Sequence, residues 1–161
     1  CQNAITSAGR FDMDQNQTDC SGNEMADTAN EMTDTALVAA ALAARGQAYA
    51  PYSGFQVGAA LIDERGRLFT GCNIENASYG ATCCGERTAV FKAISEGARA
   101  VKKMAVVGSQ PELCVPCGIC RQVLAEFAAP DFLLLAAAPD GRFVAYPLDE
   151  LLPHRFTFRK I

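Results

Sequence analysis

Apolar residues at Ala36, Leu37, Ala40, Ala41, Ala44 and Ala48 recur with helical spacing. Thr33 or Asp34 stands ready to cap the first turn and Pro51 to stop the last, so residues 33–50 are predicted as a helix with one small-residue face. Two stretches of strand character follow, 56–62 and 67–74, on either side of Asp63-Glu64-Arg65-Gly66. They predict an antiparallel hairpin that delivers Asn73 and Glu75 to its far end. Helical periodicity returns at Ala89, Val90, Ala93 and Ile94 and stops at Gly97, after which the apolar run 104–107 reads as a buried strand. A second such unit pairs a helix over 117–129, apolar at Ile119, Val123, Leu124 and Phe127, with a strand over 132–138. The turn Pro139-Asp140-Gly141-Arg142 sends the chain back as an antiparallel strand over 143–146, and a short helix over 148–152 ends before Pro153.

This order of strands and helices predicts parallel pairing through right-handed crossovers, and hence an α/β fold with a five-stranded mixed sheet packed against helices. With 161 residues, half of them apolar, the chain suffices for one core. Residues 1–31 are polar, poor in large aliphatics and begin with Cys1, so they read as a leader or disordered extension, and 32–161 as the domain. The net charge of −4 leaves no basic footprint for a phosphate backbone, so no nucleic-acid partner is expected. The longest apolar runs, 36–44 and 132–138, fall far short of a bilayer span, so no membrane partner is expected either. A soluble, cytoplasmic protein is the resulting expectation.

Eight cysteines could mean a disulfide scaffold, but that device belongs to small secreted domains with insufficient cores. Their clustering at Cys83, Cys84, Cys114, Cys117 and Cys120 suits metal binding in a reducing compartment better. Cys117 and Cys120 lie three apart on one helix face just after Pro116, and Cys84 opens the other crossover helix, so two helix N-termini could converge on one ion. The amide ends of such helices favour thiolates. Glu86 lies two residues from Cys84, about 200° round a regular helix, so both can face one site only if the metal lies off the helix end. Arg87 could donate to the sulfurs and temper their excess charge.

Spacing alone leaves alternatives open. A fourth sulfur from Cys72, Cys83 or Cys114 would close the site into structural zinc, although a closed site would have no use for Glu86. A redox role for Cys117 and Cys120 would need no Cys84-Gly85-Glu86 partner. The single histidine, His154, reads as a solvated surface residue.

Between about Ala36 and Phe156 the chain carries Tyr49-Ala50-Pro51-Tyr52-Ser53-Gly54-Phe55, Val57-Gly58-Ala59-Ala60, Gly71-Cys72-Asn73-Ile74-Glu75-Asn76-Ala77, Cys84-Gly85-Glu86-Arg87-Thr88-Ala89 and Pro116-Cys117-Gly118-Ile119-Cys120-Arg121-Gln122. In these motifs and this order it resembles the small, homotetrameric, zinc-dependent cytidine deaminases of pyrimidine salvage. The resemblance implies a three-layer αβα fold and one Zn²⁺ per subunit on Cys84, Cys117 and Cys120, with water as fourth ligand. It implies Glu86 as the catalytic proton carrier, taking a proton from the water, protonating N3 and assisting departure of ammonia as cytidine or deoxycytidine becomes uridine or deoxyuridine. Asn73 and Glu75 match the pair that binds the ribose hydroxyls, Phe55 an aromatic that packs on the base, Phe156 an aromatic that reaches a neighbouring subunit's site, and Arg87 an arginine behind the metal. A small-molecule nucleoside substrate and a homotetramer are thus the partners implied. A relative acting on another nucleoside or a free base, and a non-catalytic zinc domain, stand as alternatives. Two departures matter: Gly85 replaces the family's usual alanine, which should loosen the helix start by up to about 1 kcal/mol, and Cys83 adjoins the expected ligand.

Overall fold

The computed structural model describes residues 32–158; the leader or extension read at 1–31 lies outside the described residues. Helix α1 (Asp34–Arg45) begins where Thr33 Oγ1 accepts the Ala36 N–H, as its capping side chain should. It ends well short of the predicted Ala50. Gly46 opens a run of tight turns, and Tyr49 leaves helical geometry to bridge Ile74, its N–H donating to the Asn73 carbonyl at 3.0 Å. Tertiary pairing has taken the last residues of a good helical pattern.

Strands β1 (Val57–Asp63) and β2 (Leu68–Cys72) form the expected hairpin. The buried Asp63 carboxylate closes its turn, accepting from the backbone of Arg65 and Arg67 and from Arg67 Nε at 2.7 Å. Helix α2 (Gly85–Ser95), strand β3 (Val101–Gly108), helix α3 (Gly118–Phe127), strand β4 (Ala128–Ala137), strand β5 (Phe143–Pro147) and helix α4 (Leu148–Leu151) complete the domain. β3 is longer than its apolar run because Val101 and Lys103 pair with β1 and β4 at the sheet's end, where Lys103 reaches Asp34 at 2.6 Å. β4 starts directly at the end of α3, earlier than the predicted 132. A short 3₁₀ turn, Tyr79–Ala81, was not foreseen.

The sheet order is β2-β1-β3-β4-β5, with β3 and β4 parallel and the other neighbours antiparallel. β2 and β3 therefore point the same way with β1 between them, so both helical crossovers join parallel strands. Alternation along the central strands sorts side chains between two layers. Leu61, Met104, Val106, Leu134 and Ala136 face α2, α3 and α4, packing with Val90, Leu124 and Leu151. Ala60, Ala105, Val107, Leu135 and Ala137 face α1 and meet Leu37, Val38 and Ala41. The result is the αβα sandwich and mixed five-stranded sheet that were expected.

Small residues set how closely the helices sit. A Cβ at Gly58 would lie 2.1 Å from the Ala41 carbonyl and 2.4 Å from the Arg45 nitrogen, so α1 rests directly on β1. Gly71 plays the same part under α2, where a Cβ would come within 2.4 Å of the Ala89 nitrogen. Gly58→Ala is expected to lower stability by about 1–3 kcal/mol through overpacking, read as a lower urea midpoint with unchanged m-value.

Candidate metal centre and active site

The site lies beyond the carboxyl ends of β2 and β3, where ligands collect in open α/β sheets. β2 leads into residues 73–75, which are held on both sides. Glu75 donates its N–H to the Tyr49 carbonyl at 2.8 Å, and Ile74 exchanges backbone hydrogen bonds with Cys83 at 2.9 and 3.0 Å. The second of these pairings sets Cys84 beside Asn73. β3 leads through 109–116 to Cys117.

Cys84 and Cys117 are the N-caps of α2 and α3, with extended backbones at φ/ψ of −72°/155° and −67°/168°. That placement answers the angular problem posed by Glu86. Cys84 stands outside the helix proper, so it and Glu86 in the first turn both face the space off the helix end. Cys120 comes from the first turn of α3 and is buried.

The Cys84 and Cys117 sulfurs lie 3.9 Å apart and those of Cys117 and Cys120 3.5 Å. Tetrahedral zinc with Zn–S of about 2.3 Å separates its sulfurs by about 3.8 Å. All three ligand atoms lie within 4.8 Å of one another, and among the described residues no fourth His, Cys, Asp or Glu joins the group. Cys72, Cys83 and Cys114 do not complete a four-sulfur set, so the donors fit one zinc with an open position. Cys83, the neighbour that could have shifted the register, is instead engaged through its backbone with Ile74.

Electrostatics divide the thiols. Hydrogen bonding from Cys120, joined by Arg87 and Cys117, outweighs burial and draws Cys84 down to about 5. The same pairing and burial push Cys120 well above the ordinary thiol range. Metal binding must therefore displace at least the Cys120 proton. Arg87 holds the Thr82 carbonyl at 2.8 Å through Nη2 and brings that nitrogen to 3.7 Å from Cys84 Sγ, where its charge favours the thiolate.

Glu86 is only 4% exposed. Burial, reinforced by the charge of Cys84 and partly offset by backbone and Cys120 hydrogen bonds, raises its carboxyl to about 7. A buried carboxyl near neutrality can both take and return a proton, as a general acid–base group must.

Opposite the metal wall, a cavity of about 240 Å³ is lined by Phe55, Val57, Asn73, Glu75, Cys84, Glu86 and Cys117, together with Ser53, Tyr79, Thr82, Cys114 and Val115. Asn73 and Glu75 are buried and already in use. Asn73 Nδ2 donates to the Phe55 carbonyl and its Oδ1 accepts the Val57 N–H, both at 2.8 Å. Glu75 accepts from the Ser53 hydroxyl, from the Tyr52 and Ser53 N–H groups at 2.8 and 3.2 Å, and from Tyr79 Oη at 3.4 Å. The Ser53 bond leads in holding the Glu75 carboxyl below its ordinary range. Both side chains thus shape the 52–57 loop as well as facing the cavity.

Phe156 does not line this cavity. It is 64% exposed, its carbonyl accepts Gln122 Nε2, and its ring packs edge-on against Phe158. The remaining predicted site residues come together. Sequence reading passed over Ser53 and Tyr79 as site residues, although Ser53 stands inside a motif it had marked and Tyr79 lies two residues beyond another.

The sheet order and the three-thiol corner define a zinc-binding α/β domain. A family model described as the cytidine and deoxycytidylate deaminase zinc-binding region matches residues 31–136. This chain belongs to that family. A curated cytidine deaminase from Halalkalibacterium halodurans is 50% identical over 75% of this chain and 92% of its own length, and one from Sporosarcina psychrophila 46% identical over 75% and 89%. A crystal structure of cytidine deaminase from Burkholderia pseudomallei superposes with a TM-score of 0.74 at 46% identity, covering 78% of this chain and all of the other. No helix among the described residues is long and apolar enough to cross a membrane.

A carboxyl raised above its ordinary value of 4.5 binds its proton more tightly folded than unfolded, so it subtracts from stability as pH rises towards about 7. The metal-free Glu86→Gln protein is expected to be more stable than the metal-free parent. The margin should open between pH 4.5 and 7 and then level off, in chelator-treated urea unfolding across that range.

Proposed function

We propose that this protein hydrolyses cytidine and deoxycytidine to uridine and deoxyuridine, releasing ammonia. The observation that carries the reading is the pairing of a three-thiol zinc corner with a buried, near-neutral carboxyl, in one cavity whose other wall is Phe55, Asn73 and Glu75. Zinc held by Cys84, Cys117 and Cys120 would supply a polarised water at its open position. Glu86 would take one proton from the attacking water and pass it to N3 as the oxygen adds to C4, then carry the remaining hydroxyl proton to the amine, which leaves as ammonia while the oxygen stays on C4 as a carbonyl. Arg87 tempers the charge of the thiolates from behind Cys84. Phe55 packs on the base, while Asn73 and Glu75 meet the sugar hydroxyls.

A free-base deaminase would have no sugar for Asn73 and Glu75, and a closed structural zinc would leave Glu86 idle. Polynucleotide substrates suit neither the charge of −4 nor the size of the cavity. The thiol cluster favours a reducing compartment, which supports the cytoplasm. Phe156, exposed in its own chain, is assigned to a neighbouring subunit's site within a homotetramer.

Cytidine, deoxycytidine and cytosine assayed side by side should show both nucleosides losing their cytosine absorbance and the free base lagging far behind. Equal rates on cytosine and cytidine would overturn the substrate assignment. Glu86→Gln should keep one zinc per chain and lose turnover by at least about 100-fold. Light scattering should return about four times the chain mass of 17.1 kDa, and a monomeric mass with full activity would remove the intersubunit role of Phe156.

A further inference from the structure

The two cysteines that cap α2 and α3 are steadied from behind in different ways. Cys84 follows Cys83, whose N–H and carbonyl exchange hydrogen bonds with Ile74 at 3.0 and 2.9 Å. Cys117 follows Pro116, and a proline has no N–H with which to form such a pair. The only polar group that the buried Pro116 offers is its carbonyl. Arg121 takes it: Nε donates to the Pro116 oxygen at 2.7 Å, while Nη1 of the same guanidinium donates to the Leu151 carbonyl at 2.8 Å.

The Pro116 oxygen belongs to the peptide plane that enters Cys117, so gripping it fixes the turn of that plane and with it φ of Cys117, here −67°. On the far side the Cys117 carbonyl accepts the Arg121 N–H at 3.0 Å. Arg121 therefore holds both peptide planes that flank Cys117, one with its side chain and one with its backbone. The other end of the grip is firm, because Leu151 is buried at the end of α4 among core side chains that include Leu124 and Leu134. Cys117 needs this help most. It is the exposed member of the three, and it follows the irregular stretch 109–116, which is tied to the sheet by the Cys114 N–H on the Ala137 carbonyl at 3.1 Å.

We infer that Arg121 is a positioning residue for the metal: a two-point strap, from the core at Leu151 to the Pro116 carbonyl, that keeps the Cys117 sulfur in place beside those of Cys84 and Cys120, 3.9 and 3.5 Å away. It acts on zinc retention and not on the choice of substrate, so it stands independently of the nucleoside reading. The planar guanidinium serves two acceptors at once, whereas a lysine ammonium on its flexible stem supplies the charge without the fork. Gln122 provides the comparison. Its Nε2 donates to the Phe156 carbonyl at 2.9 Å, tying the same helix to the chain beyond α4 without touching Pro116.

Zinc transfer from the loaded protein to a chromogenic chelator reads the strap directly. The gap between the melting temperatures of zinc-loaded and zinc-free protein reads it at equilibrium, because a residue that merely braces α4 lowers both alike. For Arg121→Gln and Arg121→Lys we expect one zinc per chain at saturating metal, release about 10- to 100-fold faster than from the parent, and a narrowed gap. Gln122→Ala should release zinc at the parental rate. Parental release from both Arg121 variants overturns the inference, and so does full retention with lysine, since charge alone would then suffice. Faster release with an unchanged gap, or an equal acceleration in Gln122→Ala, reduces Arg121 to general bracing and overturns it too. Should Arg121→Gln fail to accumulate, Arg121→Lys carries the same test. None of these readouts uses turnover, so a failed strap leaves the deaminase reading standing, and a parent inactive on cytidine leaves the strap.

Discussion

The seating of α2 on the sheet at Gly71 is the constraint from which the site hangs. That contact is backbone on backbone, with no room for even a methyl group, so the first turn of α2 has little freedom relative to β2. β2 in turn delivers Asn73 and Glu75, and the backbone bridge between Ile74 and Cys83 ties the two together just before the helix cap. Cys84, Glu86, Asn73 and Glu75 are therefore fixed by one short stretch of packing and hydrogen bonding. Only Cys117 and Cys120 arrive from elsewhere, on α3. A site assembled from two rigid pieces tolerates little change in either, since misplacement is felt at once in transition-state contacts.

The same corner concentrates negative charge, and the fold manages it without a nearby histidine. Three thiols and a carboxyl converge where two helix N-termini present unpaired amides and where Arg87 reaches the Cys84 sulfur. Each helix end contributes only about 0.3–1 kcal/mol when exposed. Hydrogen bonds from Cys120, Arg87 and Cys117 add to these dipoles in favouring the thiolate at Cys84. In the absence of metal the proton load falls on Cys120 and Glu86, the two most buried members. A divalent cation reverses this balance, which makes the corner a metal site by its electrostatics as well as by its sulfur spacing.

Much of this was legible in the sequence because it rests on local pattern. Alternating and helical periodicities placed every strand and every named helix, and cysteine spacing picked out the three sulfurs that converge. What was not legible depended on tertiary pairing. Gly46 marked a possible helix end that the apolar spacing to Ala48 masked, and nothing after it announces that the chain goes on to bridge Ile74. The apolar run at 104–107 gave no sign that lysines would extend the strand to Val101. Motif matching named Asn73 and Glu75 for the sugar, yet it could not reveal that both also fasten the 52–57 loop.

That double duty bears on how a nucleoside would enter. Glu75 already receives four donors, so sugar hydroxyls cannot simply add to an empty carboxylate; they must share or displace a partner. The Ser53 and Tyr52 bonds hold the loop that carries Phe55, and losing them would release the residue proposed to pack on the base. The Tyr79 hydroxyl is the longest contact at 3.4 Å and belongs to a half-exposed ring on the 3₁₀ turn. Exchanging a weak hydroxyl contact for a sugar hydroxyl is close to neutral in hydrogen bonds, because each acceptor lone pair remains satisfied before and after. The carboxylate can thus recognise a sugar without releasing the loop, provided its charge persists. Its hydrogen bonds, with Ser53 foremost, secure that by holding it in the ionised form.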